Sequence, residues 1–405
     1  MIKIAIIGFG VVGSGVYEVL RTNAADITVN AGEEIDIKYI LDIRDFSSHS
    51  ESQLFVNDIN TILNDDEVEI VVETMGGLEP ANTFTRACLN KGKSVVTSNK
   101  ELVATFGDEL FQIASDNNCK YLYEASVGGG IPIIRPLSKC LAANRIDKIA
   151  GILNGTTNYI LTRMFKDNAS FEAALKEAQE KGYAEKDPTA DVEGLDTGKK
   201  ICILSSMVNR EKINHEDVHT DGITKITLED TEYASRFSSV IKLIGMYERV
   251  GDKYAVVVAP MLVGDDSPLF GVDGVFNGIM VSGNMLGDSL FYGRGAGKLP
   301  TASAVVADVI DIAKNKNEKF TKPWVAAQKD VLLPYEEIKT AMYLRIESED
   351  VLTAIDYIKE AFSKELHIEI NGGEFAVITP VDTVANIRKI VSSVPGKVLS
   401  ELMVL

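Results

Sequence analysis

One lysine and a run of carboxylates stand out by type and spacing. Gly182-Tyr183-Ala184-Glu185-Lys186-Asp187-Pro188 leads to Asp191, Asp196 and Lys200. On a helix that begins near Val192, Asp196 and Lys200 fall at i and i+4 on one face. Glu185, Asp187 and Asp191 then gather near its N-terminal end. Such a set makes a pocket in which carboxylates take a substrate ammonium and a lysine gives or accepts a proton. The plainer account is a capping loop followed by a helical salt bridge on the surface, which is worth little.

A second set is suited to a dinucleotide. Gly8-Phe9-Gly10-Val11-Val12-Gly13 fits G-x-G-x-x-G, follows an apolar run expected to be a strand and opens an expected helix. Gly8 permits the tight turn, Gly10 lets a pyrophosphate approach the backbone and Gly13 allows close helix–sheet packing. The helix N-terminus offers N–H groups and a positive dipole end to the anion. At the end of the next strand, Ile40-Leu41-Asp42-Ile43-Arg44-Asp45 carries both cofactor signals. A carboxylate there holds the ribose 2′-hydroxyl of NAD, and a guanidinium accepts the 2′-phosphate of NADP. With Asp42 still inside the strand, Arg44 faces the ribose, which favours NADP and leaves NAD open.

Two further stretches are dense in glycine. Glu124-Ala125-Ser126-Val127-Gly128-Gly129-Gly130-Ile131-Pro132 combines a carboxylate with backbone that curls and exposes carbonyls. That suits a hard monovalent or divalent cation, or simply a turn. Gly293-Arg294-Gly295-Ala296-Gly297-Lys298 leads to a helix and is another place where backbone can approach a ligand. His215-Glu216-Asp217-Val218-His219 matches H-E-x-x-H, whose zinc chemistry needs both histidines on one helix face and a third ligand. It runs into Thr220-Asp221-Gly222, a loop composition, and is read as two solvated histidines.

These residues need a scaffold, and the hydrophobic pattern supplies one. Ile2 to Ile7, Ile35 to Leu41, Val68 to Val72, Ser94 to Thr97 and Tyr121 to Glu124 read as strands. Val11 to Arg21, Ala81 to Asn90 and Lys100 to Asn117 read as helices among them. The alternation is α/β: a Rossmann-type doubly wound parallel sheet over residues 1–134. Residues 135–315 read as α+β. Ile146 to Leu153 is a strand, and Thr156 to Lys166, Ser170 to Lys181 and about Leu195 to Val208 are helices. Strands run from Val250 to about Tyr292, and a helix near Ser303 to Ala313 completes the sheet edge. Residues 316–405 hold a linker and, from about 340, a small β-α-β-β-α-β domain.

At 405 residues the chain has room for two or three domains. The opening MIKIAIIGFG is too short and glycine-rich for a signal peptide, and no run reaches the roughly 18 apolar residues of a spanning helix. A cytoplasmic protein with no membrane partner is expected. Net charge is −18, from 59 acidic and 41 basic residues, which disfavours nucleic acid. Cys88, Cys119, Cys140 and Cys202 form no CxxC pair and suit reduced thiols.

Together these stretches resemble the homoserine dehydrogenases. The matching runs are GFGVVG at 8–13, VETMGG at 72–77, VVTSNK at 95–100, EASVGGGIPII at 124–134, GILNGTTNYIL at 151–161, GYAEKDPTADVEGLD at 182–196 and GAGKLPTASAVVAD at 295–308. They span residues 1–315 in order. The resemblance implies NAD(P)-dependent interconversion of L-aspartate 4-semialdehyde and L-homoserine, in threonine and methionine biosynthesis, by a homodimer or higher homo-oligomer. It implies Lys200 as proton donor and acceptor, Lys100 as a second active-site lysine, and Glu185, Asp191 and Asp196 as substrate-binding carboxylates. Gly8, Phe9, Gly10, Val11, Val12 and Gly13, with Thr74, Lys100 and Gly297, would touch the cofactor, and the strand-end reading adds Arg44. Glu124 by its side chain, and Val127, Gly129 and Ile131 by carbonyls, would hold a sodium ion.

The residue types agree with that chemistry. Reducing an aldehyde needs a hydride and a proton for the developing alkoxide, and the Lys200 ammonium can stabilise that oxygen and protonate it. Asp196, one turn earlier, keeps Lys200 charged and aimed. No cysteine sits in a motif for a thiohemiacetal. The C-terminal unit resembles an ACT domain, but Glu349 and Asp350 stand where that family's turn has Pro and Gly, which puts amino-acid sensing in doubt. Arg294 replaces a common proline. The alternative reading is a non-catalytic sensor of cofactor or amino acid on the same fold, opposed by the intact Lys100, Glu185, Asp196 and Lys200.

Overall fold

The computed structural model describes every residue except 328, 329 and 365. In chain order the elements open with β1 (Ile2–Ile7), α1 (Val11–Thr22), α2 (Ala24–Ala31), β2 (Ile35–Leu41), β3 (Phe55–Val56), α3 (Ile59–Leu63) and β4 (Val68–Glu73). There follow α4 (Ala81–Asn90), β5 (Ser94–Thr97), α5 (Lys100–Asp116), β6 (Tyr121–Leu122), β7 (Ile146–Ile152), α6 (Gly155–Asp167), α7 (Phe171–Glu180), α8 (Thr189–Val192) and α9 (Leu195–Asn209). The middle continues with β8 (His219–Thr220), α10 (Leu228–Arg236), β9 (Ser239–Val250), β10 (Lys253–Gly264), β11 (Phe276–Gly283), β12 (Gly287–Arg294) and α11 (Lys298–Lys314). The chain ends with β13 (Lys339–Thr340), β14 (Met342–Glu347), α12 (Val351–Phe362), β15 (Ile368–Asn371), β16 (Glu374–Ile378), β17 (Asp382–Thr383), α13 (Val384–Val391) and β18 (Lys397–Val404).

Two compact units share the chain. The first takes Met1–Asn144, Cys202–His215 and Phe291–Lys329; the second takes Arg145–Ile201, Glu216–Leu290 and Asp330–Leu405. The breaks read from the sequence at 134 and 315 mark changes in element pattern, whereas the compact units interleave.

The first unit is built on a parallel sheet in the order β3-β2-β1-β4-β5-β6. Its central strands are mostly apolar because both faces are covered: Ile4, Ala5, Ile6, Ile7, Val71, Val72, Val95 and Val96 are buried. α11 packs its Ala302, Val305, Val306 and Val309 into the same core. The strand order reverses direction between β1 and β4, and in open sheets of this kind ligands bind beyond the carboxyl ends at that point.

In the second unit the long β9–β10 hairpin pairs over twelve residues per strand, from Lys253 opposite Val250 to Gly264 opposite Ser239. The sheet runs β12-β11-β7-β9-β10-β18-β14-β16-β15, with β8 beside β10. The expected β-α-β-β-α-β order is present at the C-terminus as β14-α12-β15-β16-α13-β18, around a core of Leu344, Ile346, Ile355, Ile358, Phe375, Val377 and Ile387. Its last strand pairs in parallel with β10, Met261 opposite Met403, so this part extends the larger sheet.

The structure corrects several element readings. The strand-rich stretch begins at Ser239, not Val250, because SVIKLIGMY is buried on both faces and shows no alternation. α10 was missed, although Thr227 and Asp230 form a reciprocal capping box. α2 and α3 were missed as well. The expected strand Tyr121 to Glu124 ends at Leu122, and Glu124–Ser126 make a single tight turn. The helix read at about Leu195 to Val208 is α9, which starts three residues past Val192, and a separate short α8 precedes it with Glu193 and Gly194 between them.

Candidate active site

The glycine loop leaves β1 at Gly8, whose φ of +92° is open to glycine and strained for other residues. Thr74, just past β4, donates its backbone N–H to the Ile7 carbonyl at 2.9 Å and its hydroxyl to the Gly8 carbonyl at 2.8 Å. α1 therefore starts hard against the end of β4. A Cβ on Gly13 would lie 2.0 Å from the Gly8 carbonyl oxygen and 2.8 Å from Thr74 Oγ1, so only glycine fits. A Cβ on Gly10 would meet nothing within 4 Å, and no side chain caps α1 there. The loop is thus tight on its inner side and open on its outer side, the shape a pyrophosphate needs. Val11 and Val12 form the first turn of α1, and Phe9 packs edge-on against Tyr17, Phe46 and Phe55. Gly297 stands at the N-terminus of α11, again without a side-chain cap.

Asp42 lies just beyond the end of β2, not inside it as the argument for Arg44 assumed. Its carboxylate accepts the Phe9 N–H at 2.8 Å, the Arg44 N–H at 3.0 Å and the Arg44 guanidinium at 2.7 and 2.9 Å. The Arg44 guanidinium also donates to the Phe9 carbonyl at 2.8 Å. Arg44 holds the Asp42 carboxyl well below the usual carboxylate range. The acidic residue that could take a ribose hydroxyl is already filled by protein donors, and the arginine side chain is 57 % exposed.

Lys100 opens α5, and Asn99 fixes that start. The Asn99 side chain accepts the Leu102 N–H at 3.1 Å and donates to the Gly77 carbonyl at 2.6 Å. Sequence reasoning missed the residue that joins the two loops a second time. Glu73, fully buried at the end of β4, accepts the Met75 N–H at 2.7 Å and the Thr97 hydroxyl at 2.5 Å. Burial pushes its carboxyl up to about 7, with those two donors among the described residues to hold a charge. A glutamate inside the apolar run VEIVVE was the available signal.

Glu124 is buried, and its carboxylate accepts the N–H groups of Ile133, Ile134 and Arg135 at 2.7 to 2.9 Å. Among the described residues the carbonyls of Val127, Gly129 and Ile131 accept no hydrogen bond. Both Glu124 oxygens are thereby engaged, and the Arg135 guanidinium lies 3.5 Å from one of them, so the carbonyls are the free oxygens of this stretch.

In the second unit, the motif residues around position 154 converge on Lys200. β7 ends at Ile152, and Asn154 caps α6 by accepting the Thr157 N–H at 2.9 Å. Lys200, on α9 and almost fully buried, donates to the Leu153 carbonyl at 2.8 Å and to Asp196 at 2.7 Å. The same Asp196 oxygen accepts from Asn154 Nδ2 at 2.9 Å, and that nitrogen also donates to Asp191 at 2.7 Å. Asp196 and Lys200 are one helical turn apart, as expected, but lie in the interior, which removes the surface salt-bridge account.

Glu185 lies on the exposed loop after α7, and among the described residues its carboxylate makes no hydrogen bond. The loop is held by Thr156, which donates to the Tyr183 carbonyl at 2.6 Å. Asp187 turns away to cap Thr189, accepting its N–H at 3.1 Å and its hydroxyl at 2.6 Å. The H-E-x-x-H stretch is not an α-helix: His215 opens a single 3-10 turn and His219 is on β8. His219 stacks on Tyr335 at 3.6 Å and pairs with Asp221 at 2.8 Å.

Comparison with known proteins places the chain in a family. The Homoserine dehydrogenase family matches residues 132–310, and the Homoserine dehydrogenase, NAD binding domain family matches residues 8–124. The homoserine dehydrogenase of Bacillus subtilis is 38% identical over 370 residues, covering 90% of this chain and 85% of that protein. This chain belongs to the homoserine dehydrogenase family. The crystal structure of the Thiobacillus denitrificans member superposes with a TM-score of 0.91 at 35% identity, covering 100% of this chain and 98% of that one. A hyperthermophilic archaeal member in complex with NADPH gives 0.66 at 27% identity, over 79% and 99%. The chain is thus a nicotinamide-dependent oxidoreductase acting on a CH–OH group, and the sensor reading is not favoured. Among the described residues no helix is long and apolar enough to cross a membrane.

Proposed function

We propose that this chain interconverts L-homoserine and L-aspartate 4-semialdehyde, supplying threonine and methionine synthesis, with Lys200 moving the proton. The observation that carries the reading is the buried Lys200 ammonium, held by the Asp196 carboxylate and the Leu153 carbonyl. The chemistry a bound nicotinamide supplies is hydride transfer at carbon. As the neutral amine Lys200 accepts the hydroxyl proton in oxidation, and as the ammonium it gives that proton to the alkoxide in reduction. Asp196 stabilises the charged lysine in both directions. Glu185 and Asp191 take the substrate ammonium, Glu185 with a carboxylate that no described residue engages. Lys100 serves as the second lysine of the site.

NADP is the proposed cofactor. Gly8 to Gly13, Thr74 and Gly297 would hold its diphosphate and ribose by backbone approach. The filled Asp42 and the exposed Arg44 guanidinium favour a 2′-phosphate over a 2′-hydroxyl. A sodium ion on Glu124, Val127, Gly129 and Ile131 belongs to the same proposal, supported by the free carbonyls. Residues 1–134 act as the cofactor domain and 135–315 as the substrate and dimerisation domain. Residues from about 340 form an ACT-like part suited to subunit pairing, since Asp350 is spent on capping α12. A cytoplasmic homodimer or higher homo-oligomer is the proposed form.

Initial rates with homoserine and each cofactor test the whole. Homoserine-dependent reduction of NADP, faster than that of NAD, is the expected result. Absence of turnover with homoserine in the presence of either cofactor and sodium overturns the reading.

A further inference from the structure

We infer that Asn154 is a positioning residue for the reaction: its side-chain amide holds Asp191 and Asp196 on one nitrogen and so fixes where Lys200 and the substrate ammonium sit. The inference rests on the reading of those groups given above. Asn154 is 5 % exposed and uses both ends of its amide. Oδ1 accepts the Thr157 N–H at 2.9 Å, the N-cap of α6. Nδ2 donates at 2.7 Å to Asp191 Oδ1 and at 2.9 Å to Asp196 Oδ2. The two hydrogens of one amide diverge by about 120°, which leaves the two carboxylate oxygens about 5 Å apart. Two carboxylates turned toward one amide repel, and the Nδ2 donor offsets that repulsion.

The neighbouring bond completes the argument. Asp196 Oδ2 also receives Lys200 Nζ at 2.7 Å, while Nζ donates to Leu153, the residue before Asn154. The turn that places the amide therefore also places the lysine's other acceptor. The charged groups that Asn154 touches include Asp191, from α8, and Asp196, from α9, and the Lys200 amine shares the Asp196 oxygen that takes Nδ2. A residue serving only to cap α6 would need Oδ1 alone, and serine or aspartate would do as well.

That difference gives the test. Asn154→Asp keeps the capping oxygen and replaces the Nδ2 donor by an oxygen facing two carboxylates. Expected are a melting temperature lowered at neutral pH by the third buried carboxylate and recovered as pH falls, with NADP affinity unchanged. kcat/KM for homoserine should fall about a hundredfold, and the deficit should shrink as pH falls and the new carboxyl regains a proton to donate. Asn154→Ser, a neutral cap without the donor pair, should lose at least tenfold at every pH. Either variant keeping kcat/KM within threefold of the parent overturns the inference. So does a deficit in Asn154→Asp that is constant with pH, the mark of a structural defect. If Asn154→Asp fails to fold, Asn154→Ser decides alone. A parent without homoserine turnover would instead overturn the function itself, a result read before any variant is made.

Discussion

The glycine loop of the first unit and the Lys200 cluster of the second prepare for ligands by opposite means. Around Gly8, Gly10 and Gly13, side chains are removed so that backbone can approach, and polar groups are supplied by a helix terminus. Around Lys200, charged side chains are driven indoors and each is given a partner: Asp196 and Leu153 for the lysine, Asn154 for Asp191 and Asp196. The first tolerates few side chains and asks little of electrostatics. The second tolerates several shapes but no unpaired charge, because burying one without a partner costs several kcal/mol. The same substitution size should therefore act through binding in one place and through turnover in the other.

Four changes bring out that contrast, beginning with the strongest. Lys200→Ala should lower kcat about a thousandfold or more while leaving NADP affinity, measured by calorimetry, within threefold. A parallel loss of cofactor binding would show that the two regions are not separable. Gly13→Ala should do the reverse. Its methyl collides with the Gly8 carbonyl, so NADP affinity should fall by about a hundredfold and stability by about 2 kcal/mol, with kcat at saturating cofactor little changed.

Arg44→Ala sharpens the comparison within the first unit. It removes the exposed guanidinium and uncovers Asp42, so affinity for NADP should fall about tenfold and that for NAD should rise. Equal losses for both cofactors would assign Arg44 to loop structure alone.

The smallest effect concerns Glu73, a buried acid of the first unit with no cation paired to it among the described residues. Its folded pKa, about 7, lies above the ordinary value of 4.5, so the fold prefers the neutral carboxyl. That preference stabilises fully below about pH 4.5 and is lost as pH rises through 7. Glu73→Gln removes the titration, and urea unfolding at pH 5 and pH 8.5 should show the variant gaining about 2 kcal/mol on the parent at the higher pH. A gap independent of pH would mean that Glu73 is held by more than Thr97 and Met75.

Sequence by itself determined what depends on neighbours along the chain. The G-x-G-x-x-G spacing after an apolar strand placed the loop, because turn, helix start and close packing are all local requirements of residues 8–13. Strand–helix alternation over the first unit and the i, i+4 spacing of Asp196 and Lys200 were legible for the same reason. Tertiary structure decided what depends on partners far away. It filled Asp42 with Arg44, joined Thr97 to Glu73, merged the C-terminal strands into the sheet of β10 and brought Asn154 onto Asp191 and Asp196. Periodicity reports which face of an element is buried, but not which distant group meets it there, and hydrogen bonding in a closed interior depends on that meeting.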